Sequence, residues 1–267
     1  MNEKEIKKIV KEGYSKVARQ GSSCCGGTNA AEDISKKIGY NDEDMKSVPD
    51  GANLGLGCGN PIAMASLKTG QTVLDLGSGA GFDCFLAANK VGPNGKIIGV
   101  DMTQAMIEKA KKNAQKGNYR NVEFRLGEIE DLPVDDNSVD VVISNCVINL
   151  VPDKSKAFAQ AYRVLKPGGR LMVSDVVLLK TLPISIRNSV EAYIGCLSGA
   201  MMKDEYLKVI VGAGFKNVKI LNQTPFPLDI MANDPTAKAI LDAPQVSAED
   251  MNSAENSVAS IKVSATK

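Results

Sequence analysis

The chain contains no histidine and no tryptophan. Histidine is the usual acid–base group near neutral pH and the commonest metal ligand, so its absence excludes His-based relays and His-ligated metal centres. Aromatic residues make up only 4% of the chain, which argues against a broad aromatic pocket for a lipophilic substrate. Lys and Arg total 32 against 31 Asp and Glu, and the net charge of +1 selects neither nucleic acid nor an anionic membrane. No apolar run approaches the roughly 20 residues that a spanning helix needs. The opening Met1-Asn2-Glu3-Lys4-Glu5 is charged and lacks the apolar stretch of a secretory signal, so a cytoplasmic protein is expected. No two cysteines have the C-x-x-C spacing of zinc or redox motifs.

What the chain does have is six cysteines. In a reducing compartment they read as thiols, ligands or nucleophiles before they read as disulfides. Cys84, beside Phe85 in a helical stretch, reads as a core residue. The other five sit in Ser22-Ser23-Cys24-Cys25-Gly26-Gly27, Gly57-Cys58-Gly59, Ser144-Asn145-Cys146 and Gly195-Cys196-Leu197-Ser198-Gly199, where packing gives them little reason to be. Cys24 and Cys25 are adjacent and poorly placed to bond each other, because the joined ring strains the peptide.

The hydrophobic pattern predicts a helix over 3–19, with Ile6, Ile9, Val10 and Val17 on one face and Glu3/Lys7 spaced for an exposed ion pair. A loop over 20–29, a helix over 30–38 and an irregular stretch over 49–61 follow. From 71 onward strands alternate with helices. Strands are predicted at 72–76, 96–100, 122–126, 139–144 and 170–177, the last entered through a Lys166-Pro167-Gly168-Gly169 turn. The intervening helices cover 82–91, 103–117 and 155–165. Beyond 180 the pattern predicts helices at 182–195 and 204–213, a strand at 215–221 and an edge strand at 259–265. Such alternation predicts an α/β protein with a doubly wound, mostly parallel seven-stranded sheet, helices on both faces and ligands at the strand C-terminal ends. Three regions are expected: N-terminal helices and cysteine loops (1–65), a nucleotide-type core (66–180) and a C-terminal region (181–267).

The core opens with Val73-Leu74-Asp75-Leu76-Gly77-Ser78-Gly79-Ala80-Gly81-Phe82. A dinucleotide G-x-G-x-x-G loop would need glycine where Phe82 stands. The shorter loop after Asp75 suits S-adenosylmethionine (AdoMet), which has no pyrophosphate. Asp75 is positioned to anchor its ammonium end and Asp101 to accept the ribose hydroxyls. Met102 is expected against the adenine, Glu128 and Ile129 at its amino group and ring, and Asn145 near the methyl group. Gly77, Ser78, Gly79 and Gly127 complete the expected donor pocket. The runs Asp75–Gly81, Gly99-Val100-Asp101-Met102, Gly127-Glu128-Ile129-Glu130-Asp131-Leu132-Pro133 and Leu165–Gly169 resemble the class I AdoMet-dependent methyltransferases over about residues 70–177. That resemblance implies their Rossmann-like fold, here with an N-terminal helical segment and a C-terminal extension.

Cys58, Cys146 and Cys196 come from three segments that can converge beside such a donor. Soft thiolates select thiophilic ions. Trivalent arsenic takes three thiolates and keeps a lone pair that attacks a methyl carbon without a general base, in keeping with the missing histidines. Leu56-Gly57-Cys58-Gly59-Asn60-Pro61, Ser144-Asn145-Cys146-Val147-Ile148-Asn149-Leu150 and Cys196-Leu197-Ser198-Gly199-Ala200 closely resemble the arsenite methyltransferases, over about residues 10–225. The resemblance implies that Cys58, Cys146 and Cys196 bind As(III) as substrate, with no metal cofactor. It implies that Cys24 or Cys25 captures arsenic or forms a disulfide during turnover, with thioredoxin or another dithiol restoring the thiols. The products expected are mono- and dimethylated arsenicals, for detoxification. A cytoplasmic monomer without nucleic-acid or membrane partners is expected. Two alternatives stay open. A methyltransferase for a small organic, quinone-like acceptor leaves the three cysteine motifs unexplained. A non-catalytic metalloid sensor leaves the Asp75/Gly77/Gly79/Asp101 set without a use.

Overall fold

The computed structural model of the chain describes residues 2–20, 28–182, 184, 199–225 and 257–267. Cys24, Cys25 and Cys196, and nearly all of the helix expected at 182–195, lie outside the described residues. Three helices lead: α1 (Glu3–Gln20), α2 (Thr28–Lys37) and α3 (Asp42–Lys46). The core then runs β1 (Thr72–Leu76), α4 (Phe82–Val91), β2 (Lys96–Asp101), α5 (Gln104–Lys116), β3 (Val122–Leu126), β4 (Val139–Asn145), α6 (Lys154–Val164) and β5 (Leu165–Leu178). It closes with α7 (Lys203–Gly212), β6 (Lys216–Pro225) and β7 (Val258–Thr266).

These strands form one seven-stranded sheet in the order β3-β2-β1-β4-β5-β7-β6. All pairings are parallel except those of β7, which is antiparallel to both β5 and β6. Residues 259–265, expected as an edge strand, therefore lie inside the sheet, and β6 takes the edge. Ile261 and Val263 of β7 are fully buried, whereas β6 carries the half-exposed Leu221. The Lys166–Gly169 stretch, expected as a turn, is the first part of β5. Gly168 takes φ +78° and the pairing with β4 skips between Val139 and Val141, so the turn is absorbed as an irregularity in the ladder.

Side-chain alternation along β1 sorts the two faces. Val73 packs with Cys84, Phe85, Ile107 and Ala110 from α4 and α5. Leu74 and Leu76 pack on the opposite face with Phe158 and Ala161 of α6 and Tyr206 and Ile210 of α7. A third apolar cluster joins Val10 of α1 to Cys58, Cys146, Leu150 and Val176, so the N-terminal helix covers the thiol-bearing end of the sheet. Among the described residues no helix is long and apolar enough to cross a membrane.

If β7 is interior, truncating it is costly. Ile261→Ala is expected to lower unfolding free energy by about 2–5 kcal/mol, and Leu221→Ala on the edge strand by about 0.5 kcal/mol. Urea unfolding of the two variants reads the difference.

Candidate active site

The sheet order reverses at β1, whose neighbours are β2 and β4. Ligands of doubly wound sheets bind in the crevice at this reversal, beyond the strand C-terminal ends. A cleft opens there. Asp75, Gly77, Ser78, Gly79 and Asp101 line it, as do Met102, Gly127, Glu128, Ile129 and Asn145. The structure thus brings all ten residues of the expected donor pocket to one cavity.

The glycines have distinct local reasons. Gly77 takes φ +69°, and a Cβ there would run into Val147. Gly79 takes φ +51°, and a Cβ there would project into open space, so its bareness serves the cavity rather than the packing. The loop is tied to β2 by Asp101, which accepts the Gly79 N–H at 3.0 Å and the Thr103 N–H at 2.8 Å. Burial pushes the Asp101 carboxyl upward, and these backbone donors restrain the shift. The Ser78 hydroxyl is buried in the cleft wall without a hydrogen-bond partner.

Two further acids stand beside Asp101. Burial, reinforced by the charge of Asp83, raises the Asp75 carboxyl well above its usual range. It accepts a hydrogen bond from the Cys84 thiol at 3.2 Å, so Cys84 is both a core residue and a clamp on that acid. Asp83, from the first turn of α4, is raised to about 6, also by burial. It accepts from the Tyr40 hydroxyl at 2.6 Å and from Asn145 Nδ2 at 3.0 Å. Among the described residues none of the three carboxyls is paired with a Lys or Arg. A donor bearing cationic ammonium and sulfonium groups suits this acid-lined cleft, whose lining lysine, Lys7, is taken up by glutamates, and the bare Gly79 leaves it room.

Asn145, at the end of β4, connects this cleft to the thiols. Its Oδ1 accepts the Cys58 N–H at 3.1 Å, and its Nδ2 also donates to the Gly59 carbonyl at 2.8 Å. The flanking glycines permit the approach. A Cβ on Gly57 would sit 2.7 Å from Asn145 Nδ2, and one on Gly59 would collide with Ser174 Oγ. From the other side, the Ser260 hydroxyl of β7 donates to the Cys58 carbonyl at 2.7 Å. Cys146 adopts the left-handed φ of +59°, uncommon for a residue with a side chain. Its N–H donates to the Ser174 carbonyl at 2.8 Å, which fixes the turn. Cys58 and Cys146 are buried thiols. Their sulfurs and a carboxylate oxygen of Asp175 all lie within 4.8 Å of one another.

Asp175 is buried on β5, where it accepts from the Tyr206 hydroxyl and the Val176 N–H, each at 3.0 Å. Burial raises its carboxyl to about 7, against the pull of those two donors. Asp83, Tyr40, Asp175 and Tyr206 were not anticipated from the sequence. The available signal was an acid where burial was expected: Asp83 directly after the glycine loop, and Asp175 inside Leu171-Met172-Val173-Ser174-Asp175-Val176-Val177.

Helix α1 borders the cleft beside the loop after β3. Lys7 binds Glu3 at 3.1 Å, Glu128 at 2.8 Å and Glu130 at 3.1 Å, so it bridges the helix to the loop after β3. Burial alone would lower its pKa, but the three carboxylates outweigh burial and raise it. Lys7 is therefore not the surface partner of Glu3 alone. Glu130, at the other end of this bridge, is buried. Glu128, expected at the adenine amino group, is engaged by Lys7.

Fold and cleft together define a class I methyltransferase. A methyltransferase-domain family model matches residues 67–214. Arsenite methyltransferase of Halobacterium salinarum is 50% identical over 229 residues, covering 81% of this chain and 59% of the relative. The human arsenite methyltransferase is 35% identical over 227 residues, covering 80% of this chain and 59% of the relative. The crystal structure of an arsenic(III) S-adenosylmethionine methyltransferase from Chlamydomonas reinhardtii superposes with a TM-score of 0.66 at 32% identity, covering 89% of this chain and 73% of that one. The chain belongs to the arsenite methyltransferase family. It spans about six-tenths of the length of the two curated relatives.

The cation-free acids make donor binding pH-dependent. Because the Asp83 pKa is raised, its ionisation costs stability as pH rises through about 6. A bound cation offsets that cost. The rise in Tm on adding AdoMet should therefore be larger at high pH than at low, the change centring near 6, and Asp83→Asn should flatten it. A pH-independent rise in the parent protein would place the cation away from Asp83.

Proposed function

We propose that this chain methylates trivalent arsenic held on its own thiolates, with AdoMet as the donor. The observation that carries the reading is the pairing of Cys58 with Cys146, the latter in the wall of an acid-lined cleft whose lining includes Gly77 and Gly79. When bound, AdoMet supplies a methyl group activated on a sulfonium centre. Asp75 and Asp83 hold the cationic end, Asp101 takes the ribose hydroxyls, and Met102 and Ile129 flank the base. Arsenite enters by exchanging hydroxyls for sulfur at Cys58 and Cys146, and Cys196 supplies the third thiolate. Trivalent arsenic bound in this way keeps a lone pair and carries no proton to be removed. The cleft then needs position rather than a general base, in agreement with a chain that has no histidine. Asn145 and the Gly57/Gly59 pair set that position by pressing the Cys58 loop against the end of β4. Cys24 or Cys25 takes part in the redox half of the cycle, and a dithiol such as thioredoxin returns the cysteines to thiols.

Arsenic speciation after incubating the reduced protein with AdoMet, arsenite and a dithiol tests the reading. Methylated arsenic is expected from the parent protein. Cys58→Ser, Cys146→Ser and Cys196→Ser should each reduce its formation about a hundredfold or more. Bound AdoMet without methylated arsenic would move the assignment to an organic acceptor. Arsenite binding without turnover would move it to a sensor.

A further inference from the structure

Asp175 has no part in the scheme above. It is a carboxyl only 1% exposed, in the middle of an apolar strand, and neither hydrogen bond to it comes from a cation. Burying such a group is costly, and an apolar residue would suit the strand better. A carboxylate offers about four lone-pair sites. The Tyr206 hydroxyl and the Val176 N–H use two of them, leaving acceptor capacity within 4.8 Å of both the Cys58 and Cys146 sulfurs.

The chemistry of loading says what reaches it. Arsenite in neutral water is As(OH)₃. At each thiol one S–H and one As–O bond break and one As–S bond forms. The thiol proton leaves with the displaced hydroxyl as water, and arsenic stays trivalent. Two thiols remove two hydroxyls, so arsenic held by Cys58 and Cys146 alone retains one. We propose that Asp175 is a substrate-binding residue that hydrogen-bonds this remaining arsenic hydroxyl, so that the two-thiolate intermediate is held by two sulfurs and one carboxyl oxygen. The inference rests on the arsenic reading of the thiol pair and adds a specificity to it. A monoorgano arsenical spends both its hydroxyls on the two sulfurs and has none left for Asp175. Asp175 therefore adds to the pair's hold on inorganic arsenite and adds nothing to its hold on a monomethylated species, which favours release after the first methyl transfer.

The test is binding, without AdoMet, in the full chain carrying Cys24→Ser, Cys25→Ser and Cys196→Ser so that only the buried pair captures arsenic. Asp175→Ala in this background should weaken arsenite binding about tenfold or more. Binding of phenylarsine oxide, which keeps no hydroxyl once both sulfurs are bound, should stay unchanged. Equal loss for both ligands would mean that Asp175 only shapes the pocket and would overturn the proposal. Unchanged arsenite binding would also overturn it. Should Asp175→Ala not fold, Asp175→Asn keeps the volume and the Tyr206 partner. It should show the same contrast with a smaller loss, because a neutral amide accepts a weaker hydrogen bond. If the Asp175-containing background binds neither arsenical, the arsenic reading of the pair fails and this proposal with it.

Discussion

One side-chain amide joins the two halves of the site. Asn145 reaches Tyr40, Asp83 and Gly59 through its nitrogen and Cys58 through its oxygen. The donor cleft, the segment before α3, the first turn of α4 and the thiol loop therefore share a single reference point at the end of β4. The Gly57-Cys58-Gly59 loop can press against it only because both neighbours of the cysteine lack side chains. The left-handed turn at Cys146, one residue further on, brings the second sulfur to the same place. Moving the amide would move the thiol pair relative to the cleft, and in the proposed reaction displacement chemistry depends on that distance more than on any acid or base.

The electrostatics of the site are one-sided. Asp75, Asp83, Asp101 and Asp175 are all raised by burial; among the described residues none forms an ion pair with a basic side chain, and the charge of Lys154 offsets only part of the rise at Asp175. Lys7, the basic residue at the rim, is committed to three glutamates. Groups arranged in this way are destabilising until a ligand supplies what they lack, which is how perturbed carboxyls come to mark functional sites. The first three prefer a cation. Asp175, against the thiols, prefers a hydrogen-bond donor.

The parts of the site written in local sequence were legible. The glycine spacing after Asp75, the acid ending β2 and the Gly-Cys-Gly loop each express a backbone requirement within a few residues. Contacts made across the chain were not. Lys7 and Glu128 are 121 residues apart, and nothing in either segment announces the pair. Cys84 read correctly as core, but its thiol contact with Asp75 depends on which face of β1 meets α4. The place of β7 was missed for a similar reason. An apolar strand after a long interval fits an edge or an interior slot, and only the order of the folded sheet decides between them.

That slot has a consequence for how the protein is made. The carbonyl of Cys58 is held by Ser260, 202 residues later in the chain. A ribosome releases the glycine loop, the donor cleft and Cys146 long before the strand that braces them. The nascent chain can thus shape a nucleotide pocket early, while its thiol pair remains unbraced until residues 258–266 have emerged. The hydrogen bond that fixes the Cys58 loop is thus among the last contacts that synthesis allows to form.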